Sequence, residues 1–170
     1  GSTTGKTSFT PTDDSTYEGD ETAIVAITGV SGGSATESGT QSVTLTIDEN
    51  EDGPTVTLSS SASSIAEDAG SSLTLTATLS VAASGNVTVS ITPTGTGTEG
   101  TDYGTISDIT ISAGDTTGTT SFTPTDDASD PVYEGDETAI VAISSVTGLA
   151  TEDGTQSVTI TITENESAPT

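Results

Sequence analysis

The sequence predicts an all-β protein, an immunoglobulin-like antiparallel β-sandwich of about seven strands per module. Three observations carry that expectation. Short runs of Val, Ile and Leu alternate with Thr and Ser, clusters of Gly, Asn, Asp and Pro separate the runs, and no stretch repeats its apolar residues at helical spacing. Alternation places apolar side chains on one face of a strand and hydroxyls on the other. The β-branched residues Val, Ile and Thr suit an extended backbone because they are stiff at χ1. Parallel α/β folds need crossover helices and are excluded. Short strands punctuated by turn signals at this spacing are the pattern of a two-sheet sandwich.

The runs are ordered by an internal repeat. Thr3–Thr12 reappears as Thr116–Thr125, Phe9 recurs 113 residues later as Phe122, Tyr17 recurs 116 residues later as Tyr133, and Pro54 recurs 115 residues later as Pro169. Residues 1–53 match the back half of 54–168, and nothing matches its front half. The expected organisation is the C-terminal half of one repeat at 1–53, a complete repeat at 54–168, and the start of another at 169–170. Within the complete repeat, strands are expected at 55–59, 72–80, 86–92, 105–112, 119–124, 138–144 and 156–163. In the second of these Leu73, Leu75, Ala77 and Leu79 share one face, and in the last Val158, Ile160 and Ile162 do. The half repeat supplies only the last three strands of such a sandwich, so its edges and half-core need a neighbouring segment. Phe9 and Phe122 are expected in cores, and Tyr17 and Tyr133 as core or loop-anchoring residues.

Composition narrows the function. The chain has 170 residues, 26 of them acidic against a single basic residue, Lys6, for a formal charge of −25. Phosphate backbones and anionic membrane surfaces are repelled by such a chain, so the expected partners include neither nucleic acid nor membrane. His and Cys are absent, which removes disulfides, imidazole or thiolate metal ligands, and His-activated nucleophiles. Aromatics are only 3% of the chain, leaving no sugar platform beside the carboxylates, and no enzymatic activity is expected.

The acid is concentrated. Thr125–Glu137 holds six carboxylates in thirteen residues, including Asp126, Asp127, Glu134, Asp136 and Glu137, around one tyrosine. The matching early stretch holds Asp13, Asp14, Glu18 and Glu21 around Tyr17. Carboxylates packed this closely repel one another unless a cation sits among them, and the chain offers almost none of its own. Calcium fits, because it takes six to eight oxygens from flexible loops. Magnesium prefers near-ideal octahedral sites that retain water, and zinc favours nitrogen and sulfur. Asp48, Asn50 and Asp52 place oxygens at alternate positions before Gly53, as an EF-hand loop begins. Ser59 stands where such a loop needs an acid at its twelfth position, so this stretch reads as an ion-binding linker only.

Ser64–Gly70, Gly100–Tyr103, Ile111–Gly114, the Asp126-Asp127…Tyr133–Glu137 loop and the closing Val158–Glu166 together resemble, in this order, a Calx-beta domain. The resemblance covers 54–168, and 1–53 as the back half of a second copy. It implies a two-sheet sandwich with calcium at one end. Glu67, Asp102, Asp126, Asp127, Glu134, Glu137 and Glu164 with Glu166 stand at the ligand positions. In the half repeat the implied ligands are Asp13, Asp14, Glu18, Glu21 and the cluster 48–52. The closing cluster Glu164-Asn165-Glu166 is thinner than the acidic triplet of strong binders, so the resemblance implies a first ion more than several.

The expected function is a calcium-binding structural module of an extracellular tandem-repeat stalk or adhesin on a bacterial cell surface, with calcium stiffening module ends and junctions. Its expected partners are calcium ions and neighbouring repeats of the same array. The alternatives are a domain that binds a glycan or protein directly, a calcium sensor coupled to an effector, and a subunit of a self-assembling filament of like subunits.

Overall fold

The structure is a computed structural model that describes residues 2–126, 133–168 and 170. Eleven strands are present among them: β1 Glu21–Ala26, β2 Ser42–Ile47, β3 Thr55–Ser60, β4 Ser64–Ala66, β5 Leu73–Leu79, β6 Val87–Gly95, β7 Ile109–Ile111, β8 Thr117–Phe122, β9 Glu137–Thr147, β10 Thr151–Glu152 and β11 Ser157–Thr163. The described residues contain no helix.

Strands β3 to β11 form the expected sandwich. One sheet runs β10-β3-β5-β8 and the other β4-β11-β9-β6-β7. Alternation decides which side chains face inward: Leu75, Ala77 and Leu79 of β5 meet Val87 and Val89 of β6, Val141 of β9 and Ile160 of β11 in a single buried cluster. Tyr103 and Phe122 fill the end of that core, stacked with ring centroids 4.9 Å apart.

Two features depart from the sequence expectation. The sandwich is not wholly antiparallel, since β4 pairs in parallel with β11 and β10 in parallel with β3. Both arise because a chain leaves one sheet and joins the other. β3 ends at Ser60, and the chain re-enters as β4 beside β11 in the opposite sheet. The expected strand at 105–112 shrinks to Ile109–Ile111, because the preceding residues are committed to a loop around buried Tyr103 and Ile106.

The segment before Gly53 forms a two-stranded antiparallel sheet, β1–β2, and not the three strands expected: residues 4–9, which match β8 in sequence, form no strand because no β5-like neighbour is there to pair with them. The β1–β2 register reproduces that of β9–β11. Glu21 faces Ile47 as Glu137 faces Ile162, and Ala23 faces Leu45 as Ala139 faces Ile160. The covering differs completely. Phe122 is fully buried, whereas its counterpart Phe9 is 48% exposed, so the expectation of a core position fails for Phe9. A phenylalanine is buried only where both sheets are present, and β1–β2 has no second sheet above it.

Tyr17 ties the segment that carries β1 and β2 to the sandwich. Its N–H donates to the Ala82 carbonyl at 2.9 Å, and its carbonyl accepts from the Ser84 N–H at 3.0 Å. Its ring packs over Gly53, beside a groove formed with Pro54, Gly148, Leu149, Ala150 and Thr151. Tyr17 is therefore the loop-anchoring residue the sequence suggests. Tyr133 is 45% exposed and is not a core residue.

Candidate metal centre

Six acidic residues of the sandwich converge in two groups because their strands start or stop at one end of it. Glu137 opens β9, Glu164 follows β11, Glu67 follows β4, and Asp102 lies in the loop between β6 and β7. The parallel pairing of β4 with β11 sets Ala66 opposite Thr163, and the Glu67 N–H donates to the Thr163 carbonyl at 3.1 Å. That pairing carries Glu67 to the carboxylates beyond β11. The Asp102 loop is laced down: its N–H donates to the Thr98 carbonyl at 2.9 Å, its Oδ2 accepts the Thr98 N–H at 2.6 Å, and its carbonyl accepts the Thr125 N–H at 3.0 Å.

Two clusters result. Asp102, Glu134 and Glu137 bring one carboxylate oxygen each within 4.8 Å of one another, and Glu67, Glu164 and Glu166 do the same. Their electrostatics differ. Glu137 is half-buried and pushed up to about 7, first by burial, then by the Asp102 charge and a hydrogen bond shared with Asp102, then by Glu134 and Glu67. A carboxylate in this position holds a proton near neutrality unless a cation replaces it.

Glu164 is the opposite case, held down at about 2 chiefly by backbone N–H groups, that of Glu166 first. Its Oε2 accepts the N–H groups of Glu134 at 2.7 Å and Gly135 at 2.9 Å. Its Oε1 accepts those of Asn165 and Glu166, both at 3.0 Å. Two donors per oxygen fill the lone-pair directions of the carboxylate. Proximity alone would admit Glu164 as an ion ligand; its bonds make it the clamp that holds the Glu134 loop in place. Asp136 closes the clamp, its Oδ1 accepting the Glu164 N–H at 3.1 Å. The loop turns at Gly135, whose φ of 81° is a left-handed conformation that a side chain would strain.

The segment before Gly53 reproduces this clamp. Glu49 Oε2 accepts the N–H groups of Glu18 at 2.5 Å and Gly19 at 2.7 Å, Glu49 Oε1 accepts those of Asn50 and Glu51, and Asp20 Oδ1 accepts the Glu49 N–H. Glu49 is likewise held down at about 2, first by the Glu18 N–H. Glu18 is raised, first by the charge of Glu21, and Glu51 is raised, first by a hydrogen bond with Glu49. A cleft of about 380 Å³ opens among Phe9, Asp13, Asp14, Glu18, Glu21 and Glu51.

The sequence-predicted ligands therefore divide. Asp102, Glu134, Glu137, Glu67, Glu164 and Glu166 are brought together. Asp126 is exposed and belongs to neither cluster, and Asp127 lies outside the described residues. Asp14 accepts the Thr16 N–H at 2.7 Å, and Asp13 accepts from the Asn50 side-chain amide at 3.0 Å. Asp48 and Asp52 are exposed on either side of the Glu49 clamp. Glu49 falls within the cluster 48–52 that the sequence singles out, but as a ligand and not as a clamp, and Asp20 is not singled out at all. An offset of 115 residues aligns Glu49 with Glu164 and Glu51 with Glu166, and the offset of 116 that relates Tyr17 to Tyr133 aligns Asp20 with Asp136, which is the signal that finds Asp20.

The donor set suits a hard divalent cation. Every side-chain donor in the two clusters is a carboxylate, and an ion would displace the proton that Glu137, pushed up to about 7, takes up near neutrality.

No family profile matches the chain, and no curated protein matches it. Among solved structures, the apo form of the Calx CBD1 domain is similar, with a TM-score of 0.53, 16% sequence identity, and coverage of 66% of this chain and 99% of that one. The likeness is one of fold, and the chain carries a Calx-beta-like β-sandwich.

Proposed function

We propose that this chain is a non-enzymatic, calcium-binding structural segment of an extracellular tandem-repeat stalk or adhesin on a bacterial surface. The observation that carries this reading is the convergence of Asp102, Glu134 and Glu137, with Glu137 driven up to about 7 by burial and by Asp102. Such a cluster is unfavourable by itself, and a divalent cation relieves it. Asp102, Glu134 and Glu137 are the first-ion ligands in this reading, with Glu67 and Glu166 adjoining. Glu164 and Asp136 hold the loop. Calcium would supply charge neutralisation and a cross-link between the Asp102 loop and the Glu134–Glu137 stretch.

The stalk role is supported by the place of the acidic loops. The stretch carrying Asp13, Asp14, Glu18 and Glu21 also carries Tyr17, whose backbone is hydrogen-bonded to Ala82 and Ser84 of the sandwich. An ion bound there would stiffen a junction. Filament formation has one observation in its favour, the exposed Ile24, Val25 and Val43 on β1–β2. Sedimentation across a hundredfold concentration range separates the readings, since a filament grows and a stalk segment stays monomeric.

The primary test is thermal unfolding of the full chain in EDTA, in millimolar calcium and in millimolar magnesium. An ion that binds only the folded state adds about 2.7 kcal/mol at one hundred times its dissociation constant. A rise in Tm with calcium alone supports the proposal, and identical melting in all three conditions refutes it.

A further inference from the structure

We infer that Tyr133 is a docking residue whose partner is a following copy of this module, engaged at the segment equivalent to Ala82–Ser84. The inference rests on the tandem-repeat reading and names the contact that would join one repeat to the next. The precedent lies within the chain. Tyr17 forms a two-bond backbone bridge with Ala82 and Ser84, and its ring covers Gly53 beside the groove of Pro54 and Gly148–Thr151.

Tyr133 is presented by the same device. The residues after Tyr17, Glu18 and Gly19, are fixed by the Glu49 carboxylate; those after Tyr133, Glu134 and Gly135, are fixed by the Glu164 carboxylate through the same pair of N–H bonds. Gly19 and Gly135 have φ values of 76° and 81°, so the backbone leaves both tyrosines through the same left-handed turn. The two strands after each turn share one register. What differs is the surface each ring meets. Tyr17 lies on the sandwich, whereas Tyr133 is 45% exposed, with its hydroxyl about 4.0 Å from where a Cβ on Gly135 would stand.

The sequence beyond the clamp fits the same occupant. Ala168 stands where Gly53 does in the repeat, followed by Pro169 and Thr170 in place of Pro54 and Thr55. A Cβ on Gly53 would sit 3.7 Å from the Tyr17 ring, an ordinary van der Waals contact, so the alanine methyl is compatible with a ring docked in this way. A second free copy of the chain is a poor occupant, because its Ala82–Ser84 segment already holds its own Tyr17. The site therefore fits a module joined in sequence.

The test is tyrosine nitration read by mass spectrometry, on the 170-residue chain and on a chain in which residues 1–168 are followed by a second copy of 54–170. In the original chain Tyr133 should react at least tenfold faster than Tyr17. In the extended chain its rate should fall to that of Tyr17, and Tyr103 of each copy, buried in the core, reports that the copy has folded. Unchanged Tyr133 reactivity beside a protected second core tyrosine overturns the inference. A graft removes dependence on the added copy: residues 126–133 replace 13–17 in the original chain, placing the longer sequence at the existing junction. The grafted tyrosine should be protected as Tyr17 is, and reactivity equal to that of Tyr133 overturns the inference. Both arms are run in EDTA and in calcium, so loss of docking is distinguishable from absence of calcium binding, which thermal unfolding reads.

Discussion

The Glu164 carboxylate accepts the Glu134 N–H at 2.7 Å, and this bond ties the end of β11 to the loop that carries the candidate ligands. The same oxygen also holds Gly135, and the other holds two residues of its own turn. A glutamine can keep one acceptor oxygen but turns an amide N–H toward backbone donors. Glu164→Gln should therefore lower Tm by several degrees in EDTA as well as in calcium. A residue that served only as an ion ligand would leave the EDTA value unchanged, so a drop confined to calcium would reassign Glu164 from clamp to ligand.

The clamp and the cluster have opposite pH signatures. Glu49 and Glu164 are depressed to about 2, so their contribution is present above the ordinary carboxylate value and is lost as pH falls through about 2. Glu137 is raised to about 7, so its contribution is complete below the ordinary value and is lost as pH rises through about 7. Self-repulsion from a net charge of −25 acts in the same direction as Glu137. In EDTA, Tm should peak near the ordinary carboxylate pKa, about 4.5, and decline on both sides. A stability maximum near pH 7 without metal would contradict this assignment.

Replacing the half-buried Glu137 tests the cluster directly. Glu137→Gln removes the charge that burial and Asp102 penalise, so the metal-free protein should become more stable at pH 8 and lose most of its pH slope between about 4.5 and 7. The same change removes a ligand, so the calcium-induced rise in Tm should shrink sharply. The two effects have opposite signs, and unfolding with and without calcium at pH 8 separates them. A variant that melts lower in EDTA would show that Glu137 stabilises the fold by some contact other than ion binding.

Much of this was legible in the residues, and the misses have definite causes. Alternation located β5, β6, β9 and β11, since a period of two needs only the local chain. It could not show β4 or β10, with three and two residues each, because such short strands exist only through partners far away in sequence. Composition pointed to oxygen ligands for a cation, but the division of Glu137 from Glu164 depends on which backbone N–H groups reach each carboxylate. The repeat made Phe9 and Phe122 look equivalent, and burial separates them. Phe122→Ala should cost about 3–5 kcal/mol, while Phe9→Ala should stay within about 0.5 kcal/mol. Denaturant unfolding of both variants measures the difference, and equal losses would mean that Phe9 is covered in solution.

The last prediction concerns how closely β6 must approach β9 beside the ion cluster. A Cβ on Gly95 would lie 2.1 Å from the Thr138 carbonyl oxygen, and its φ of 128° is one that L side chains rarely adopt. Thr138 follows Glu137 directly, and the Thr138 carbonyl accepts the Gly97 N–H at 3.0 Å in the strand-to-loop passage that leads to Asp102. Gly95→Ala must therefore push the end of β6 off β9, and it moves Asp102 relative to Glu137. A loss of about 1–3 kcal/mol is expected, together with a smaller calcium-induced rise in Tm. Gly70→Ala is the control, because Gly70 also has a positive φ, 59°, but nothing lies within 4 Å of its added methyl. It should cost about 1–2 kcal/mol for the backbone alone and leave the calcium response intact. If both variants keep the full calcium response, the spacing of β6 and β9 does not set the geometry between Asp102 and Glu137.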